Sequence, residues 1–81
     1  MTIQINTPDD LGAAVRTARK SLQLTQPELA LSAQVGVRFI VDLEAGKPTV
    51  RLESVMRVLE ALGATLQLSG IDNDDSAADW Q

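Results

Sequence analysis

Four marks of punctuation constrain this chain more than any other feature: two helix starts, at Thr7-Pro8-Asp9-Asp10 and Thr25-Gln26-Pro27-Glu28, and two helix stops, at Gly46 and Gly63. Thr7 is placed to cap a first helix, with Pro8 at the first helical position and acids in the first turn, where the helix dipole favours them. Thr25 and Glu28 have the spacing of a capping box, in which each side chain accepts a hydrogen bond from the other's backbone N–H. Pro27 falls in that first turn, where its missing N–H costs nothing. Gly46 and Gly63 supply the left-handed residues that end helices.

Apolar spacing fills the intervals. Leu11, Val15, Ala18 and Leu22 mark one face of a first helix, and Leu29, Ala30 and Ala33 point inward from a second. After a turn at Gln34-Val35-Gly36, a third helix is expected over about 37–45, with Ile40 and Leu43 inward and Phe39 beside them as a packing residue. Leu52, Val55, Met56, Leu59 and Leu62 mark a fourth. Residues 2–6 and 64–69 alternate polar and apolar, which predicts two very short strands. The expected fold class is therefore all-α with four to five helices, a C-terminal strand at 64–69 and a possible N-terminal strand. Residues 1–71 form the domain and 72–81 an acidic tail, expected to be disordered.

Composition excludes more than it suggests. The chain of 81 residues contains no Cys and no His. Disulfides, zinc fingers, thiol or imidazole catalysis and imidazole metal sites are ruled out together. No glycine-rich phosphate loop or clustered acids on one face argue for an enzyme, and no cofactor or metal is expected. No apolar run approaches a membrane span, so a cytoplasmic, nucleoid-associated location is expected. The net charge of −4 is unevenly placed. All seven cations lie between Arg16 and Arg57, and the excess of acid lies in the tail, at Asp72, Asp74, Asp75 and Asp79. A neutral body can still present a basic face.

Two short helices joined by a tight turn suggest a helix-turn-helix unit. The stretch TQPELALSAQVGVRFIVDLEAGKPT resembles the Xre/Cro-type helix-turn-helix family, whose fold is lambda-repressor-like. Thr25, Gln26, Glu28, Leu29, Ala30, Ile40, Leu43, Glu44, Gly46 and Lys47 all match its pattern. The resemblance covers residues 9–63. Two positions depart from it: Gln34 stands where the family usually has Gly, and Gly36 where it usually has Ser or Thr. A glutamine in the left-handed region costs on the order of 1 kcal/mol, so a slightly reshaped turn is expected.

With Ile40 and Leu43 inward, the third helix presents Val37, Arg38, Val41 and Asp42 outward. Arg38 can donate twice to guanine O6 and N7, while Val37 and Val41 suit thymine methyl groups. The alternatives are a phosphate contact or solvated surface for Arg38, and helix packing for Val41. The resemblance implies a phosphate contact at Gln26, and Lys47 and Arg51 are further phosphate candidates; a solvated surface position is the alternative for each of the three. It also implies a partly buried ion pair between Arg19 and Glu44, which is structural and belongs to no site.

Pairing residues 64–69 across a two-fold axis, with 2–5 added, would bury Leu66, Leu68, Ile3 and Ile5 in a homodimer able to read a palindrome. The size, the strand after the last helix and the near-terminal Trp80 are similar to HipB-type antitoxins. That resemblance implies an autorepressor of its operon that binds operator DNA and a HipA-like kinase toxin. Trp80 would be its partner-binding anchor, or else a terminal Trp without a role. A stand-alone Xre-family regulator is the alternative.

Overall fold

The computed structural model describes residues 2–70, and four helices make up its ordered frame: α1 (Pro8–Ser21), α2 (Gln26–Ala33), α3 (Val37–Glu44) and α4 (Leu52–Ala61). The domain is all-α, as expected. The starts follow from local chemistry. Thr7 accepts from the Asp10 N–H at 3.1 Å, while the Asp10 carboxylate accepts from the Thr7 N–H at 3.2 Å. At α2, Thr25 accepts from the Glu28 N–H at 3.2 Å and Glu28 accepts from the Thr25 N–H at 2.8 Å. Both boxes satisfy amides that the first helical turn leaves without a partner. At the far ends, Gly46 and Gly63 take φ of +83° and +73°, the left-handed stops their positions require.

Between α2 and α3, Gln34 itself takes the left-handed conformation, at φ 59° and ψ 44°. The turn thus accepts the backbone cost and does not avoid it. Gly36 caps α3 without a side-chain hydrogen bond. The two helices are then held at short range, and α3 packs against both α1 and α2.

The core is aliphatic: Val15, Leu29, Ala30, Ala33, Ile40, Leu43, Val55 and Val58 are buried, with Leu11, Leu24, Val35, Phe39, Leu59 and Leu62 packed around them. Burying each larger side chain contributes roughly 1.5–3 kcal/mol. Three residues of the expected apolar stripes are instead exposed: Leu22, Leu52 and Met56. α1 ends at Ser21, so Leu22 lies past the helix, and the inward place near its end goes to Arg19. On α4 the face against α2 runs through Val55 and Val58, which turns Leu52 and Met56 outward.

Residues 2–6 and 64–69 form no strand in the single chain; the strands expected there are ones that pair across a two-fold axis. A ladder needs a partner, and neither segment finds one among the described residues. Ile3, Ile5, Leu66 and Leu68 are exposed. Ile3 and Leu66 nevertheless line one concave surface with Leu11, Ala18, Leu59 and Leu62. The tail at 72–81, with Trp80, lies outside the described residues.

Candidate nucleic-acid interface

α3 is set in place by a polar pivot at its inner end. Arg19 donates from Nε to Glu44 Oε2 at 2.7 Å and from Nη2 to Oε1 at 3.0 Å, a two-pronged contact between α1 and α3. A third donation, from Nη1 to the Leu24 carbonyl at 2.8 Å, ties in the α1–α2 connection. The Arg19 and Glu44 side chains are only 10% and 5% exposed. The hydrogen bond to Glu44 raises the Arg19 pKa above its ordinary value against the opposing effect of burial. Close by, Gly12 lets the helices approach: a Cβ there would stand 2.5 Å from the Leu43 carbonyl oxygen and 2.8 Å from that of Glu44. The pivot and the missing side chain together define how α3 lies across α1.

This geometry leaves the opposite face of α3 open. Val37 and Arg38 are exposed, and Val41 and Asp42 are half-buried. The Arg38 side chain is 85% exposed and its Nε lies 3.3 Å from Asp42 Oδ1, one turn on. Lys47 approaches the other oxygen, with Nζ 3.6 Å from Asp42 Oδ2. One carboxylate therefore sits between two cations at the exposed edge of the helix.

Gln26 is half-buried at the start of α2 and donates from Nε2 to Glu44 Oε1 at 3.2 Å, which links it to the pivot. Val41 lines an open groove with Gln26, into which Arg16 and Lys20 also face. The structure thus joins Arg38, Asp42 and Lys47 in one cluster and Gln26 and Val41 in a neighbouring groove. Arg51 belongs to neither: it pairs with Glu53 at 3.9 Å where α4 begins. Sequence spacing assigns Arg16 and Lys20 to faces of α1 away from its apolar stripe and does not reveal that they share a groove with α2 and α3. The available signal is their place in the second half of α1, the helix that leads into α2.

Among the described residues, no group of three or more Asp, Glu, His or Cys side chains could hold a metal ion. No helix there is long and apolar enough to cross a membrane.

A four-helix domain that presents the outward face of its third helix, stapled from behind by a buried ion pair, defines an all-α helix-turn-helix protein of the DNA-binding regulator class. The sequence profile of the helix-turn-helix family matches residues 15–68, and the chain belongs to that family. It is 53% identical over 68 residues to an uncharacterized HTH-type transcriptional regulator, y4mF, of Sinorhizobium fredii (strain NBRC 101917 / NGR234), a match that covers 84% of this chain and 90% of that one. Its fold is similar to a chain of the HipA-HipB-O2-O3 complex, with a TM-score of 0.77, 23% identity, and 85% of this chain and 97% of that chain covered. It is equally similar to a chain of the HipB-O4 20mer complex, with the same TM-score of 0.77 and 23% identity.

Proposed function

We propose that this regulator is a homodimeric repressor that reads its operator with α3, and that it is the antitoxin of a HipA-like kinase whose operon it represses. The observation that carries the DNA reading is the outward face of α3. Val37 and Arg38 are uncovered there while Ile40 and Leu43 are sealed behind them. In the major groove, Arg38 would leave Asp42 and donate to guanine O6 and N7. The exchange is favourable: an exposed ion pair is worth about 0.2–1 kcal/mol, and a bidentate base contact about 1–3 kcal/mol of discrimination. Val37 and Val41 would meet thymine methyl groups, and Asp42, once freed, could accept from cytosine N4. Gln26, Lys47 and Arg51 would hold phosphates.

The dimer reading is supported by the apolar side chains that the single chain leaves exposed at Ile3, Ile5, Leu66 and Leu68. A second copy would cover them, complete a ladder through 64–69 and place two recognition helices about 34–36 Å apart. The antitoxin reading is supported by the likeness of the fold to a chain of a complex named for HipA and HipB. In this reading Trp80, carried on the acidic tail, inserts into a pocket on the kinase. The protein works in the cytoplasm on nucleoid DNA. A stand-alone regulator is the second reading, and the description of y4mF as a transcriptional regulator favours it.

The test is a footprint on the region upstream of the gene, with and without the neighbouring gene product. A palindromic footprint that tightens with a kinase-like neighbour supports the full reading. A footprint indifferent to that protein leaves the stand-alone regulator. Deleting residues 72–81 is expected to weaken kinase binding while sparing the footprint, and unchanged kinase binding would remove Trp80 from its role.

A further inference from the structure

Five of the seven cations are engaged with carboxylates. Arg19 is held by Glu44, Arg38 and Lys47 share Asp42, and Arg51 and Arg57 share Glu53. Arg16 and Lys20 have no carboxylate within ion-pairing distance among the described residues, and both are exposed. They stand four residues apart on α1, where like charges repel by roughly 0.2–0.5 kcal/mol. Both face the groove that also holds Gln26 of α2 and Val41 of α3. The one carboxylate lining that groove, Glu44, already accepts from Arg19 and Gln26. The groove is therefore positive, and none of its own acids is free to neutralise it.

We infer that Arg16 and Lys20 form a phosphate clamp on duplex DNA, gripping the backbone beside the phosphate that Gln26 receives. The inference rests on the DNA-binding reading above and adds two contacts to it. A DNA backbone fits better than an acidic polypeptide because the groove runs without interruption to Val41, on the helix whose outward residues meet the bases. Charge bookkeeping favours these two residues as the main source of salt sensitivity. Arg38 and Lys47 bring one shared carboxylate with them to the DNA, whereas Arg16 and Lys20 bring none.

Each phosphate neutralised releases counterions and contributes about 0.9 to the slope of log K against log salt. Losing one contact should therefore weaken binding about eightfold at 0.1 M salt, and losing both about sixtyfold. The experiment measures binding of the full chain to its own upstream duplex and to an unrelated duplex of equal length, across a salt series. The proteins are wild type, Arg16→Gln, Lys20→Gln, the double variant and, as a control, Arg57→Gln, which lies outside the groove. The expected result is a slope shallower by about one for each single variant and about two for the double. Both duplexes should be affected equally, Arg57→Gln should behave as wild type, and no variant should melt lower than wild type.

Unchanged slopes in the single and double variants, with wild type still binding steeply, would overturn the clamp and leave the DNA reading standing. A loss confined to one sequence would also overturn it, by making these residues base readers. Wild type that binds neither duplex would overturn both the clamp and the reading beneath it.

Discussion

Arg19 and Arg38 each pair with a carboxylate, one nearly sealed between helices and the other in open water. The first pair is held at 2.7 Å with side chains 10% and 5% exposed; the second is longer, at 3.3 Å, and its arginine is 85% exposed. Identical chemistry serves opposite ends. Sealed from solvent, Arg19 and Glu44 cannot part without leaving a buried charge, so they fix the angle between α1 and α3. In water, Arg38 can change partners at little cost and is free to take a base instead. In the proposed reading, the pair offered to DNA is the one that breaks at little cost.

The largest test of that contrast is Glu44→Ala, which strands Arg19. It should cost about 3–5 kcal/mol in denaturant unfolding. The same truncation at Asp42 should stay within about 0.5 kcal/mol. Replacing Arg19 and Glu44 together with apolar side chains of similar volume should recover most of that stability. It should still weaken DNA binding, because Gln26 loses the acceptor that holds it. Equal effects at the two carboxylates would erase the distinction.

Gly12→Ala comes next. Its Cβ would meet two backbone carbonyls within 3 Å, so α1 must move off α3. A cost of about 1–3 kcal/mol in unfolding is expected, together with weaker DNA binding even where the fold survives.

Arg38→Ala should leave the unfolding free energy within about 0.5 kcal/mol. Its loss should appear on the operator, at about 1–3 kcal/mol with relaxed preference at one base pair. An equal loss on every sequence in a binding titration would make Arg38 a phosphate contact.

The smallest effect concerns pH. Backbone and side-chain hydrogen bonds from Thr25 lower the Glu28 pKa below its ordinary value. A carboxylate depressed in the folded state adds stability above its unfolded pKa and loses it as pH falls through the folded one. Wild type should therefore lose its advantage over Glu28→Gln on acidification, a slight convergence visible in paired melts between neutral and acid pH.

The helix starts were legible because they are local: a capping box needs only Thr25 and Glu28, and Gly46 and Gly63 end their helices through their own backbone. The outward set of α3 was legible for a related reason, since eight residues with Ile40 and Leu43 inward leave few choices. Leu22, Leu52 and Met56 misled because apolar periodicity names a stripe and does not say which neighbour covers it. Short helices carry two plausible stripes, and tertiary packing chose Val58 over Met56. The approach at Gly12 and the groove shared by Arg16, Lys20 and Gln26 depend on how helices cross. No spacing within one helix encodes that. The strands at 2–6 and 64–69 need pairing partners, and one chain does not supply them.

Methylation interference on the upstream duplex tests the central claim most directly, because the modification sits on guanine N7, the atom Arg38 is assigned to meet. Methylating one guanine in each half-site should block wild-type binding and leave Arg38→Ala unaffected. Interference that is absent, or identical in the two proteins, would contradict the assignment of Arg38 to that guanine.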